Sequence, residues 1–201
     1  MSPEMAVRLA NRVTRTKALI EVCRKGLKDY LPLALGALDK LTWGEVEEVA
    51  PFLPLLGNDA VPALCRLLNS TRKQTAAAVT EALAVIGDAR ACGPLVAMME
   101  QQAGSANALR ARDSLIAFAE AATPSLLQAL ESPNWEVRYH VVQVLAVAGD
   151  VRAIEALADI SLDDRSARVR DAAVEAMMLI PAVGKDEAYA TRDGFYNPTI
   201  I

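Results

Sequence analysis

A proline followed 25 residues later by a glycine, or once by an alanine in its place, recurs along the chain. The four pairs are Pro32 with Gly57, Pro62 with Gly87, Pro94 with Ala119 and Pro124 with Gly149. Only 5 to 7 residues separate one pair from the start of the next unit, so the repeating unit is about 30 to 32 residues long. Such a period is typical of a solenoid, in which each unit covers an apolar face of its neighbour. The spacing therefore predicts an all-α solenoid.

Residues 120–150 illustrate how one unit is built. Thr123 is a predicted N-cap, and Pro124 occupies the first helical turn, where its missing N–H costs no hydrogen bond. A break around Pro133 separates this short helix from a longer one, which Gly149 ends in the left-handed conformation. The longer helix carries one apolar stripe, formed by Val137, Val141, Val144, Leu145 and Ala148. Each unit is thus predicted to be a hairpin of a shorter and a longer helix.

The same pattern predicts five hairpins and one additional N-terminal helix, about eleven helices in all. The predicted hairpins are 31–38 with 42–56, 61–68 with 71–86, 92–99 with 105–118, 124–131 with 135–148, and 154–160 with 167–180. Pro51 and Pro54 fall inside one second helix and should kink or shorten it. We expect three parts: a basic capping helix in residues 1–29, the repeats in 30–180 and an irregular tail in 181–201.

The details of the repeat resemble a known superfamily. The dipeptide Val-Arg at 137–138 returns at 169–170, 32 residues later, and Gly-Asp follows two of the second helices. Together with the early proline, these features resemble the HEAT-repeat superfamily over roughly residues 30–180. The chain is most similar to the short bacterial HEAT-like repeats of the phycobilisome-lyase type. Members of this group include scaffolds, chaperone-like factors, bilin lyase subunits and DNA-lesion glycosylases, so the resemblance implies a fold more sharply than a function.

Charge and composition restrict the class of partner. The formal net charge of -4 opposes a protein devoted to nucleic acid, because phosphate binding normally requires a basic surface. Residues 1–29 nevertheless hold seven basic and three acidic groups. This basic segment could guide an anionic partner or dock on the chain's own acidic surface. The N-terminal sequence lacks the apolar region of a signal peptide, and no apolar stretch is long enough for a membrane span, so we expect a cytoplasmic protein.

The sequence contains no recognisable catalytic constellation. His140 is the only histidine, and neither a phosphate-binding glycine loop nor a nucleophile-elbow motif is present. Cys23, Cys65 and Cys92 are far apart and are predicted to be reduced, mostly buried thiols. We therefore expect no catalytic residue, no metal site and no cofactor.

One group of residues combines aromatic rings with arginines, the residue types that are enriched at binding hot spots. The candidate partner-binding residues are Arg110, Arg112, Trp135, Arg138, Tyr139 and His140. Structural roles are equally open: Trp135 could close the corner between two helices. Arg138 and Arg170 could instead hold successive hairpins in register through the loop acids Asp150, Asp163 or Asp164.

The favoured function is a non-enzymatic scaffold or adaptor whose longer second helices line a concave surface that binds a partner protein. The alternative is a bilin lyase-type subunit or chaperone, in which Arg110, Arg112 and Tyr139 would help to hold a tetrapyrrole. DNA binding is a third and weaker candidate. The tail, which ends in GFYNPTII, could fold back over the last repeat or extend to a partner.

Overall fold

The computed structural model describes residues 3–180, and this part of the chain is helical throughout, without a β-strand. Its α-helices are α1 (Pro3–Ala10), α2 (Arg15–Lys25), α3 (Leu31–Leu38), α4 (Trp43–Val49), α5 (Val61–Leu67), α6 (Lys73–Ile86), α7 (Cys92–Gln101), α8 (Ala106–Ala117), α9 (Thr123–Ala129), α10 (Trp135–Ala148), α11 (Ile154–Asp163) and α12 (Ala167–Leu179). Short 3₁₀ segments such as Asn58–Ala60 and Ala119–Ala122 join the units, and a longer one, Ala50–Leu56, extends α4.

Helices α3 to α12 pair into the five predicted hairpins and stack as a solenoid. The second helices α4, α6, α8, α10 and α12 form one layer in which each contacts the next. The first helices lie in the other layer, where α3 contacts α5 and α7 contacts α9. Between the layers runs a continuous core rich in Leu, Val and Ala, with Leu64, Leu95 and Leu126 fully buried. The structure therefore confirms an all-α, HEAT-like helical repeat.

The second helices end where the repeated glycines predict. Gly87 and Gly149 have φ of 70° and 69° and cap α6 and α10 in the left-handed region. Ala119 occupies the same place after α8 with φ of 46°, and no other non-glycine residue within 3–180 has a positive φ. Because an L side chain disfavours this region, the alanine at this junction is strained.

The N-terminal segment is two helices, where the sequence predicted one capping helix within residues 1–29. Side chains that satisfy backbone groups favour the break at residues 11–14. The Val13 N–H donates to Asn11 Oδ1 over 2.8 Å, and Thr14 Oγ1 donates to the Arg8 carbonyl oxygen over 2.8 Å. Such local bonds compete with a continuous helix, and this break brings the α-helices within 3–180 to twelve.

The two prolines of the first hairpin act as predicted. Helix α4 ends at Val49, and Ala50–Leu56, which contains Pro51 and Pro54, is a 3₁₀ segment. A proline has no N–H to donate and crowds the preceding turn, so the α-helical hydrogen-bond ladder cannot continue. The Thr42 capping box fixes the other end of α4, because Glu45 accepts the Thr42 N–H.

Most of the N-terminal basic side chains are engaged by the chain itself. Arg8 and Lys25 both pair with Glu21, over 2.8 and 2.7 Å. Lys28 forms an ion pair with Asp59, and the Arg24 guanidinium lies 4.6 Å from the Phe52 ring centroid. The Glu21 pairs lie within the segment, whereas the Arg24 and Lys28 contacts join it to Phe52 of the first hairpin and to Asp59 just after that hairpin. No helix within residues 3–180 has the length and apolar character needed to span a bilayer. The predicted tail, 181–201, lies outside the described residues, and the boundaries at 29 and 180 stay predictions.

Candidate partner-binding face

The outer surface of α4, α6, α8, α10 and α12 carries two grooves, and we call this surface the second-helix face. The first groove lies between α4, α6 and α8. Its apolar floor includes Val46, Ala77 and Ala78. The exposed Trp43 ring forms one wall, and its Nε1–H donates to Glu47 Oε1 over 2.5 Å. This groove therefore offers a fixed aromatic wall beside small apolar residues.

The second groove lies between α8, α10 and α12 and is lined by aromatic and charged side chains. Trp135 and Tyr139 project from α10, and the Arg168 guanidinium lies 5.7 Å from the Trp135 ring centroid. The Tyr139 and His140 rings meet edge to face, with centroids 5.6 Å apart. The carboxylates that line the same groove are Glu136, Asp171 and Glu175. Arg168 thus shares the groove with three carboxylates, and the groove is not strongly cationic.

An exposed apolar side chain occupies the same position in every hairpin. In the first four hairpins it lies two residues before the recurring glycine or alanine, in the fifth it is the last residue of α12, and successive positions are 30 or 32 residues apart. These positions, which we call the apolar row, are Leu55, Val85, Ala117, Val147 and Leu179. The four larger side chains are 56–72% exposed. This row could not be predicted from the sequence: the recurring glycine marks the positions, but only the stack shows that each unit leaves them exposed.

The structure separates the six predicted partner-binding residues. Trp135, Tyr139 and His140 lie together in the second groove. Arg110 lines the first groove instead. Arg112 is half-buried and pairs with Asp113 over 2.6 Å. The structure does not place all six on one surface, because Arg138 is buried and α8 directs its two arginines to different sides; their role in partner binding stays a prediction.

Arg138 is buried, with 8% of its surface exposed, and it acts inside the stack. Its Nε and Nη2 donate to the two carboxylate oxygens of Asp164 over 2.7 and 2.8 Å, and Nη1 donates to the Ser132 carbonyl oxygen over 2.8 Å. These hydrogen bonds lower the pKa of Asp164 and raise that of Arg138. Arg170 donates to the Asp164 carbonyl oxygen over 2.7 Å. The geometry supports the register role for Arg138, which reaches the next hairpin, whereas Arg170 bonds to a backbone carbonyl oxygen within its own hairpin.

Two aspartate–arginine turns link units that are 32 residues apart. In the first, Arg90 pairs with Asp88 and donates to the Asn58 carbonyl oxygen over 2.7 Å. In the second, Arg152 pairs with Asp150 and donates to the Glu120 carbonyl oxygen over 3.1 Å. The hydrogen bond from Arg152 lowers the pKa of the buried Asp150 to about 2. Charge-assisted hydrogen bonds of this kind fix geometry, so these turns set the offset between hairpins.

The thiols are placed for packing. Cys23 and Cys92 are buried, and desolvation raises the pKa of each to about 11. Burial also raises the pKa of the half-buried Cys65. A thiol with a raised pKa is a poor nucleophile at neutral pH. Within residues 3–180, no cluster of His, Cys, Asp and Glu has the arrangement needed to hold a metal ion.

Comparison with known proteins adds one finding. A family model of HEAT repeats matches residues 101–178, which include helices α8 to α11, all but the last residue of α12, and the second groove. A search of curated proteins found no match. The family match, together with the stacked hairpins, supports placing this stretch in the HEAT-repeat superfamily.

Proposed function

We propose that this protein is a non-enzymatic scaffold that binds a partner protein on the second-helix face. The apolar row carries the proposal, because an exposed apolar side chain recurs in all five hairpins and no helix within residues 3–180 covers it. Contiguous exposed apolar surface in a soluble protein commonly marks an interaction site. HEAT repeats commonly serve as protein-binding scaffolds, which agrees with this use of the face.

The dimensions of the face suit a single partner helix or an extended segment. Trp135, at the far end of the second groove, begins α10 and Val147 lies twelve residues later, so this ring and the apolar row are about 18 Å apart along the helix. A helix is about 10–12 Å wide with its side chains, so it fits between these two borders. Aromatic side chains at one border and aliphatic ones at the other would contact opposite sides of the partner. The rigid stack holds both borders in place before binding, which limits the entropy lost on association.

The test compares two variants of the face with a matched control. A partner is first captured from the native host with the immobilised protein, and its affinity for each variant is then measured with purified components. We expect Val85→Ser combined with Val147→Ser to weaken binding at least tenfold, and Trp135→Ala to do the same, because each removes buried apolar contact. The control changes Leu33 and Val151 to serine, since both are exposed apolar residues outside the apolar row and the grooves. Equal affinities for all three proteins would refute the proposal.

The tetrapyrrole alternative receives less support from this geometry. A bilin-binding groove needs cations for the propionates. Arg110 lies in the first groove, Arg112 pairs with Asp113, and Arg168 in the second groove is accompanied by three carboxylates. We expect no shift in visible absorbance when a bilin is mixed with the protein. A clear shift would support the lyase-type function instead of the scaffold. Retention on heparin at low salt would likewise support DNA binding as the function.

The cytoplasmic location inferred from the N-terminal sequence stays a prediction. Fractionation of the native host tests it, with the protein expected in the cytoplasmic fraction. Recovery from the membrane or periplasmic fraction would contradict it.

A further inference from the structure

The last hairpin exposes a surface that the preceding hairpin buries. Helices α10 and α12 match with an offset of 32 residues, as Val137 and Val169 show, both being buried. Val142 is 0% exposed in α10, whereas Val174, its equivalent in α12, is 40% exposed. Met178 is 79% exposed, while its equivalent Ala146 packs against the core. The difference arises because α12 covers α10, whereas no described helix follows α12.

This uncovered surface is one continuous stripe, which we call the end face. It comprises Arg170, Val174, Met177 and Met178, and their α10 equivalents are Arg138, Val142, Leu145 and Ala146. Residues spaced by three, four and eight share a side of a helix. A terminal repeat normally carries a polar outer side. Three of these four residues are instead apolar, as they would be if something packed on them.

We propose that residues 181–201 of the same chain pack on the end face. The described chain stops at Ile180, two residues after Met178, so this segment starts beside the stripe. This segment contains aromatic and aliphatic side chains suited to cover the stripe: Phe195, Tyr196, Ile200 and Ile201. The stripe from Arg170 to Met178 is about 12 Å long in a helix. The 14 residues from 181 to 194 can span about 46 Å when extended, so the aromatic pair reaches the whole stripe after one chain reversal.

A segment of the same chain has an advantage over a second copy of the protein. Covalent attachment within one chain raises the effective concentration of a segment, to about the millimolar range for a short linker. A second copy at micromolar concentration also loses translational and rotational freedom on binding. For a similar area of apolar contact, the attached segment therefore binds the end face in preference to a second copy.

The test uses thermal unfolding of the full-length chain. A glutamate at position 178 (Met178→Glu) is expected to lower Tm by about 3–6 °C, and replacing Phe195, Tyr196, Ile200 and Ile201 with serine is expected to do the same. Combining the two sets should lower Tm no further, because both remove one interface. The matched control is Val147→Glu, which places the same charge at an exposed site of the neighbouring second helix. An unchanged Tm in both the Met178 variant and the tail variant would overturn the proposal.

Disulfide trapping supplies a second measurement that does not depend on stability. In the full-length chain, Met178→Cys together with Phe195→Cys should form an intramolecular disulfide at least tenfold faster than Val147→Cys with Phe195→Cys. Equal rates for the two pairs would overturn the proposal. A disulfide-linked dimer through position 178 would also overturn it, since the occupant would then be a second copy. Because neither readout involves a partner protein, failure here leaves the binding function of the second-helix face standing.

Discussion

Replacing Asp164 with alanine removes the carboxylate that holds α10 to the turn between α11 and α12. The change deletes two charge-assisted hydrogen bonds, of 2.7 and 2.8 Å, and leaves the buried Arg138 guanidinium with only the Ser132 carbonyl oxygen among its hydrogen-bond acceptors within residues 3–180. It also deletes the acceptor of the Ser166 N–H at the start of α12. Breaking a buried ion pair by removing one partner costs about 3–5 kcal/mol. We expect Asp164→Ala to lower the free energy of unfolding by about 3 kcal/mol, the lower end of this range, because Arg138 retains one acceptor.

Urea unfolding followed by circular dichroism measures this loss. The transition midpoint should fall while the m-value stays constant, because the surface exposed on unfolding is unchanged. The neighbouring Asp163→Ala is the control, since Asp163 is exposed, and it should shift the free energy of unfolding by less than about 0.5 kcal/mol. A double-mutant cycle with Arg138→Met isolates the pair, and its coupling energy should exceed about 1 kcal/mol. If Asp164→Ala unfolds like the parent protein, the register role assigned to Arg138 is refuted.

Three further changes test single positions of the repeat. Ala119→Gly should raise the free energy of unfolding by about 0.5–1 kcal/mol, because glycine adopts the observed φ of 46° without a Cβ clash; a lower urea midpoint would contradict the strain. Thr75→Val should raise the free energy of unfolding by about 1 kcal/mol, because the buried Thr75 hydroxyl has no hydrogen-bond partner among the described residues. Destabilisation in the same urea assay would show that the hydroxyl does form a hydrogen bond. The stabilisation from Asp150, whose pKa is lowered from 3.8 to about 2, should be complete above pH 4 and lost as the pH falls through 2. Asp150→Asn should therefore make the free energy of unfolding less dependent on pH in the acid range. An unchanged pH dependence would contradict the stabilising role of the Asp150 carboxylate.

The hairpins follow from local chemistry, which is why the sequence predicts them well. Pro124 fits only a first turn, and Gly149 adopts a left-handed cap at little cost, so each marks a helix boundary without help from tertiary contacts. The break after Ala10 was not predictable in this way. It depends on how Asn11 and Thr14 orient their side chains toward particular backbone groups, and neither residue type dictates that choice.

The candidate site was predictable only in part, for a geometric reason. Tyr139 and His140 are adjacent and border one groove. Arg110 and Arg112 are two positions apart, which is about 200° around a helix, so they could not have lined the same groove. The burial of Arg138 depends on Asp164, which lies 26 residues later in the next hairpin. Sequence spacing alone cannot show that the later turn delivers a carboxylate to this point.

The repeat itself separates binding surface from stacking surface, because each position can be compared across units. Val147 and Leu179 are exposed at equivalent positions, so their exposure does not depend on whether another hairpin follows. Val142 and Val174 differ, and the exposed one belongs to the hairpin that no described helix covers. Exposure in every unit is what a partner-binding row requires, whereas exposure in the last unit alone is what a missing stacking contact produces. For this reason we assign Val147 and Leu179 to the partner, and Val174 and Met178 to residues 181–201.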